Sequence, residues 1–240
     1  MMAVVPKTAM IMAAGLGTRM RPLTEHVPKP LIAVQGKPLL DHALDRLSAA
    51  GVSKVVINVH YLADVMEAHL AEYSGGLEVV VSDERVLLLE TGGGLVRAEP
   101  LIDCDPFLAL NSDNLWVDGP EDTLGKLAAQ WDGETMDALL LLVPRDGARN
   151  NEGKGDFHLD DAGRVRRRGA DAVAPFVFTG IQIVAKRLLR DPPEGPFSTN
   201  ILWDRAIAEG RCFGAVHDGL WFDVGTPSAI GLTEAAFKHG

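Results

Sequence analysis

Thr8 to Met12 is a short apolar run of strand length. The chain leaves it through Ala13-Ala-Gly-Leu-Gly-Thr-Arg-Met-Arg-Pro-Leu-Thr24, with Lys29-Pro-Leu31 close behind. A strand that empties into a loop with two glycines and three cations is how phosphate is commonly held. Gly15 and Gly17 can take positive φ and let the backbone approach a ligand, so successive N–H groups point at phosphate oxygens while Thr18 adds a hydroxyl. Arg19, Arg21 and Lys29 supply the charge that a triphosphate needs. Two commoner phosphate loops do not fit. A Walker A loop requires Lys-Ser or Lys-Thr after its second glycine. A dinucleotide fingerprint requires a third small residue where Met20 stands and a helix where Arg21-Pro22 arrives. A glycine-rich surface loop with solvated cations is the plain alternative.

The rest of the chain alternates two periods. Leu39, Leu40, Ala43, Leu44, Leu47 and Ala50 recur at helical spacing, and Gly51 is placed to end that helix. Lys54 to Val59 reads as a strand, Leu62 to Tyr73 as an amphipathic helix and Leu77 to Val81 as a third strand. Such alternation predicts an α/β fold: a Rossmann-like, mostly parallel sheet with helices on both faces. The glycine cluster Leu87-Leu-Leu-Glu-Thr-Gly-Gly-Gly94 precedes a helix expected from Leu95 to Leu101. Phe107 to Leu110 is a strand ending in Asn111-Ser-Asp113. Leu124 to Trp131 is a helix and Ala138 to Val143 a strand, and Arg145 to Gly155 reads as a polar loop. A small antiparallel hairpin is expected from Gly155–Leu159 and Arg164–Arg167, turned by Asp160-Asp-Ala-Gly163. Val177 to Val184 is a further strand. Ser198 or Thr199 can cap a helix ended by Gly210. Cys212 to His217 and Leu220 to Phe222 are short strands. Thr226-Pro227 suits the start of a last helix reaching about Phe237.

A formal charge of −10 argues against general nucleic-acid binding, so an anionic substrate has to be met by a local cluster of cations such as Arg19, Arg21 and Lys29. No apolar run reaches membrane-spanning length. Met1 to Ala14 is apolar but contains Pro6-Lys7 and runs into the glycine loop, so it reads as a tail plus the first strand rather than a signal peptide. Cys104 and Cys212 show no zinc spacing, and reduced thiols in a cytoplasmic protein are the expectation. No repeat is visible, and oligomeric state leans to monomer or homodimer.

Gly15-x-Gly-Thr-Arg-x-Arg-Pro-Leu-Thr24 with Pro28-Lys-Pro-Leu31 resembles the signature of the sugar-1-phosphate nucleotidyltransferases, and later motifs extend the resemblance from Lys7 to about Ala236. The resemblance implies one domain over residues 1–240, with a nucleotide-binding half at about 7–125 and a sugar-phosphate half at about 138–225. The implied fold is the glycosyltransferase-A-like form of the Rossmann sheet. Leu89-Glu-Thr-Gly-Gly-Gly94 and Gly155-Asp-Phe157 are most similar to the branch that joins UTP to N-acetylmuramate 1-phosphate in cell-wall recycling. GTP with mannose 1-phosphate, and UTP or dTTP with glucose 1-phosphate, stay as alternatives.

By the same resemblance, the nucleotide is expected against Ala13, Ala14, Gly15, Gly17, Thr18, Glu84, Thr91, Gly92 and Asn111. The sugar phosphate is expected against Gly155, Thr179 and Gly180. The alternative for the glycine cluster is a tight turn before a helix. Arg19 would hold the leaving β and γ phosphates and Lys29 the α-phosphate, and Asp113 and Asp223, each at a strand end, would hold Mg²⁺. An Asx turn is the other reading of Asp113. A phosphate monoester is largely a dianion at neutral pH, so the attacking oxygen needs no general base. There is one departure from the family pattern. Many relatives carry Glu-Lys-Pro after the hairpin, whereas this chain reads Arg167-Arg-Gly-Ala-Asp-Ala172, so Arg167 or Arg168 is expected to substitute for the missing lysine. From the residues alone, a solvated strand face is the commoner reading of the basic run 164–168. A regulatory protein that binds a nucleotide sugar without turnover, and a glycosyltransferase using Asn111-Ser-Asp113 for a metal, are the competing classes.

Overall fold

The computed structural model describes residues 4–237; Met1–Ala3, the start of the expected tail, and Lys238–Gly240 lie outside the described residues. β1 (Thr8–Met12) leads through the glycine loop to a two-stranded ribbon of β2 (Ala33–Val34) and β3 (Lys37–Pro38), and then to α1 (Leu39–Ala49). β4 (Lys54–Val59), α2 (Ala63–Ala71), β5 (Glu78–Asp83) and α3 (Glu90–Ala98) follow. β6 (Phe107–Asn111), β7 (Asn114–Val117) and α4 (Thr123–Gln130) come next, α4 capped by the Asp122 carboxylate accepting from the Gly125 N–H. The second half holds β8 (Ala138–Pro144), β9 (Ala148–Arg149), β10 (Phe157–Leu159), β11 (Val165–Arg167) and β12 (Phe176–Val184). α5 (Asn200–Ala208), β13 (Cys212–Val216), β14 (Leu220–Asp223) and α6 (Pro227–Phe237) close the chain.

The main sheet runs β5-β4-β1-β6-β12-β8-β13, and the β10–β11 hairpin joins β12 alongside β6. Six of these seven strands share one direction and β12 alone opposes them, so the expected mostly parallel sheet is present with one reversed strand at its middle. Both faces are covered. Ile11, Ile57 and Leu110 pack under α1, α2 and α4, while Met10, Val56 and Ala109 pack under α3 and α5. Adjacent residues of one strand therefore point into different cores, which explains why these strands are continuous apolar runs rather than alternating ones.

The structure departs from the sequence reading in three places. α3 begins at Glu90 and contains all three glycines, where a helix starting at Leu95 was expected. Arg145 to Gly155 is not entirely loop, because β9 pairs with β14. β7, unanticipated, pairs with the other edge of β14 to make a second, three-stranded sheet.

β12 is shared between two neighbours on one edge. Ile181–Val184 pairs with β6 and Phe176 with β10, and between them the ladder to β8 is interrupted around Thr179-Gly180, where Gly180 has φ +84°. The sheet therefore parts between β6 and the hairpin.

Candidate active site

The loop after β1 is a built structure. Gly17 has φ +62°, and a Cβ there would stand 3.1 Å from Thr24 Cγ2 and 3.2 Å from Lys29 Cβ, so only glycine suits it. Its carbonyl accepts from the Thr24 hydroxyl at 2.8 Å and the Met20 N–H at 2.9 Å, which folds Thr18–Met20 into one tight helical turn. Gly15 differs from expectation: it is not among the positive-φ glycines, and nothing lies within 4 Å of where its Cβ would be. Its bareness keeps the cleft open rather than relieving a protein contact.

Strand pairing brings Asp113 and Asp223 together from distant parts of the sequence. Asp113 lies in the turn from β6 to β7. β7 pairs with β14 so that Asp223 faces Asn114, and the Val224 N–H donates to the Asp113 carbonyl at 3.1 Å. Lys29 Nζ meets Asp113 Oδ2 at 2.5 Å, with both side chains largely buried. The Arg19 guanidinium lies over Gly225, whose missing Cβ would stand 3.2 Å from both its terminal nitrogens and 2.8 Å from Asp223 Oδ1. Burial, and then the charge of Asp113, hold the Asp223 carboxyl above its ordinary range; Lys29, Arg19 and the Asn151 side chain oppose that shift. Two acidic and two basic groups thus meet at one cleft.

That cleft is a cavity of about 460 Å³ lined by Ala13, Ala14, Gly15, Gly17, Thr18, Arg19, Lys29, Thr91, Asn111 and Asp113, all of them expected site residues. A second cavity of about 360 Å³ opens where the sheet parts, and it shares Met12, Thr91, Asn111 and Ser198 with the first. Gly180 lines it, as do Arg167, Asp156, Gln182 and Trp203. Arg167 lies over the Phe157 and Trp203 rings, with Nε on Asp204 Oδ1 at 2.7 Å and a terminal nitrogen on the Asn200 carbonyl at 3.1 Å.

Four residues expected against the nucleotide or the sugar phosphate do not reach either surface, and Arg21 lines neither cavity. Glu84 is 2% exposed and both its oxygens accept protein N–H groups. Gly92 is buried, with its N–H on the Phe197 carbonyl at 2.8 Å. Thr179 is fully buried and its hydroxyl donates to the Leu141 carbonyl. Gly155, at φ +78°, is pressed against Ala174, whose backbone a Cβ would overlap. Asp223 meets the first cavity through Gly225 rather than lining it.

Arg168 is likewise turned from the cavity, its guanidinium on the Gly155 and Asp171 carbonyls. Asn58 and Ser198 line the first cavity without having been expected there, and Leu88 and Glu90 line it from the glycine cluster. Of the first two only Asn58 carried a signal, as a lone amide inside the apolar run of β4. Among the described residues no group of three or more His, Cys, Asp or Glu could enclose a metal ion. Asp113 and Asp223 form a pair of hard oxygen donors whose remaining partners would come from substrate and water, a donor set that suits a divalent cation such as Mg²⁺.

A glycine loop edged with cations, paired carboxylates and an adjoining second cavity make a site suited to a nucleotide-handling enzyme. The nucleotidyl transferase family model matches residues 8–167. The chain is 46% identical over 237 residues to the N-acetylmuramate alpha-1-phosphate uridylyltransferase of Caulobacter vibrioides, covering 98% of each chain. It is 36% identical to the enzyme of the same name from Neisseria meningitidis, covering 91% of this chain and 93% of that one. It is 31% identical to the mannose-1-phosphate guanylyltransferase catalytic subunit beta of Danio rerio, covering 91% of this chain and 61% of that one. In fold it is similar to a UDP-glucose pyrophosphorylase solved with UDP-glucose, at TM-score 0.80 and 15% identity, covering 98% of this chain and 99% of that one. The chain belongs to the nucleotidyl transferase family and is a nucleotidyltransferase. Among the described residues no helix is long and apolar enough to cross a membrane.

Proposed function

We propose that the enzyme transfers the uridylyl group of UTP to N-acetylmuramate 1-phosphate, releasing pyrophosphate, in the cytoplasm and in the recycling of cell-wall sugars. The observation that carries the reading is the meeting of Arg19, Lys29, Asp113 and Asp223 at a phosphate-holding cleft with a second cavity beside it. The names of the two uridylyltransferase relatives supply the base and the sugar.

An oxygen of the sugar phosphate attacks the α-phosphorus, the bond from that phosphorus to the bridging oxygen of the β-phosphate breaks, and pyrophosphate carries the electron pair away. The attacking oxygen arrives ionised, so no side chain has to remove its proton. The protein's task is to hold two polyanions together and to offset the charge that grows on the leaving group. Arg19, with its planar fork, suits the β and γ phosphates, and Lys29, a compact charge beside Asp113, suits the α-phosphate. Asp113 and Asp223 would hold Mg²⁺, which when bound neutralises phosphate charge. Arg167 stands in for the missing family lysine on the sugar side, and Arg168 does not. Neither reactant asks for a partner chain, in keeping with a monomer or homodimer.

Pyrophosphate release measured over a grid of UTP, GTP, dTTP and CTP against the 1-phosphates of N-acetylmuramate, mannose and glucose tests the assignment. The expected result is Mg²⁺-dependent release that is fastest with UTP and N-acetylmuramate 1-phosphate. Fastest release with GTP and mannose 1-phosphate would overturn the substrate assignment, and no release with any pair would overturn the reaction.

A further inference from the structure

Behind the nucleotide cleft runs a line of buried hydrogen bonds that joins its two walls. The Ala13 N–H, at the start of the phosphate loop, donates to Asn58 Oδ1 at 2.6 Å. Asn58 Nδ2 donates to Glu84 Oε1 at 2.8 Å, and the Leu89 N–H donates to Glu84 Oε2 at 3.2 Å. Asn58 is 1% exposed and Glu84 2%. Only one orientation of the Asn58 amide satisfies both neighbours, because Ala13 offers a donor and the Glu84 carboxylate an acceptor.

The two ends of this line belong to the cleft itself. Ala13 lines it on one side, and Leu88, Glu90 and Thr91, flanking Leu89, line it on the other. Glu90 has φ +58°, a conformation that a side-chain-bearing residue keeps only where its surroundings fix it. Three bonds do so here: the Leu89 N–H is held by Glu84, its carbonyl takes the Phe197 N–H at 3.2 Å, and the Gly92 N–H is held by the Phe197 carbonyl. The glycines of α3 permit the arrangement. A Cβ on Gly94 would stand 3.0 Å from Asn58 Nδ2, 3.0 Å from Glu84 Oε1 and 3.1 Å from Met12 Cε, so the helix rests directly on the Asn58–Glu84 bond.

We propose that Asn58 and Glu84 are positioning residues for the nucleoside triphosphate: their polar atoms are spent on each other and on the Ala13 and Leu89 N–H groups, and they fix the gap between Ala13 and Leu89 in which the nucleotide is gripped. Glu84 therefore acts through the wall it holds rather than by accepting a bond from the base. This rests on the triphosphate being the ligand of the first cavity.

The bond pattern supplies a specific test. Asn58→Asp sets two carboxylates against each other, and Glu84→Gln sets an amide N–H against either Asn58 Nδ2 or the Leu89 N–H. The double variant Asn58→Asp/Glu84→Gln reverses the central bond and restores all three. Its carboxylate at position 58 accepts from the Ala13 N–H and from the new amide at position 84, and the oxygen of that amide accepts from the Leu89 N–H.

The dissociation constant for UTP, measured by calorimetry with Mg²⁺ present, should rise at least tenfold in each single variant. The Michaelis constant for the sugar phosphate should stay within twofold, and the double variant should return within threefold of wild type on the nucleotide. Single variants that melt at lower temperature yet bind the triphosphate normally would show a merely structural bond and overturn the inference. So would a folded double variant no better than the worse single one. If the single variants fail to fold, recovery of fold and affinity together by the double variant supports the inference, and recovery of fold alone overturns it. A wild-type protein with no affinity for any triphosphate would remove the functional reading itself, a result distinct from all of these.

Discussion

Asp223 sets stability against use. Its carboxyl is held above the ordinary range by burial and by the charge of Asp113, so at neutral pH its ionised form is penalised in the fold relative to the unfolded chain. Asp223→Asn should therefore raise the thermal unfolding midpoint while lowering turnover by about 100-fold or more, as expected when a charged group at a phosphoryl-transfer site is removed. Calorimetry and pyrophosphate release on the same preparation check both halves. Arg167→Ala should raise the Michaelis constant for the sugar phosphate about tenfold, corresponding to about 1.4 kcal/mol. Arg168→Ala, whose guanidinium is on the Gly155 and Asp171 carbonyls, should leave that constant unchanged.

His217 gives a pH signature. Burial lowers its pKa, so the folded protein refuses a proton that the unfolded chain accepts near pH 6.5. Its contribution to stability is whole above that pH and is lost as the pH falls below it. Thermal midpoints at pH 7.5 and 5.5 should differ more in the wild type than in His217→Gln. At this level the sequence was legible where residue type and place in the chain point to a cleft, as at Arg19, Lys29 and Asp113, all of which line the first cavity. It was not legible where direction decides: nothing in the residue types says that Glu84 faces inward or that Arg167 and not Arg168 faces the second cavity.

α3 shows why element boundaries can mislead. Three successive glycines oppose helix formation by about 0.8–1.0 kcal/mol each relative to alanine. The expectation of a helix starting only at Leu95 followed from that, yet packing against Phe197 and the Asn58–Glu84 bond outweighs it. Gly92→Ala should improve intrinsic helicity and still destabilise the protein by about 1–3 kcal/mol, because the new Cβ would overlap the Phe197 ring and stand 2.9 Å from its carbonyl oxygen. At Gly93 the nearest atoms would be 3.1 Å away or more, so Gly93→Ala should cost much less. Urea titrations of the two variants separate packing from propensity. The longer helices and strands were legible because two buried faces impose their periods over many residues. β7 and β9 were not, since so few residues carry little pattern and their pairing with β14 is decided by the tertiary fold.

Taken whole, the molecule gathers its chemistry by pairing distant segments. Asp113 and Asp223 meet because β7 and β14 lie side by side, and the two cavities meet because β12 serves both β6 and the hairpin. The sheet order with β12 reversed was beyond the reach of local pattern, as no residue in Phe176–Val184 records its direction. That reversal has a practical consequence. Pro144, where the chain departs from β8, stands opposite Phe176, where it resumes in β12, and the Arg145 N–H donates to the Pro175 carbonyl at 2.8 Å across the gap. Everything from 145 to 175, including Asp156 and Arg167, is therefore a detour strung between adjoining rungs of one ladder. A transplant of that detour from a relative with another acceptor, retaining Asn151 for Asp223, should redirect sugar choice and leave triphosphate affinity where it was. One wall of the second cavity, the part that carries Asp156, Phe157 and Arg167, thus hangs on a segment whose two ends meet.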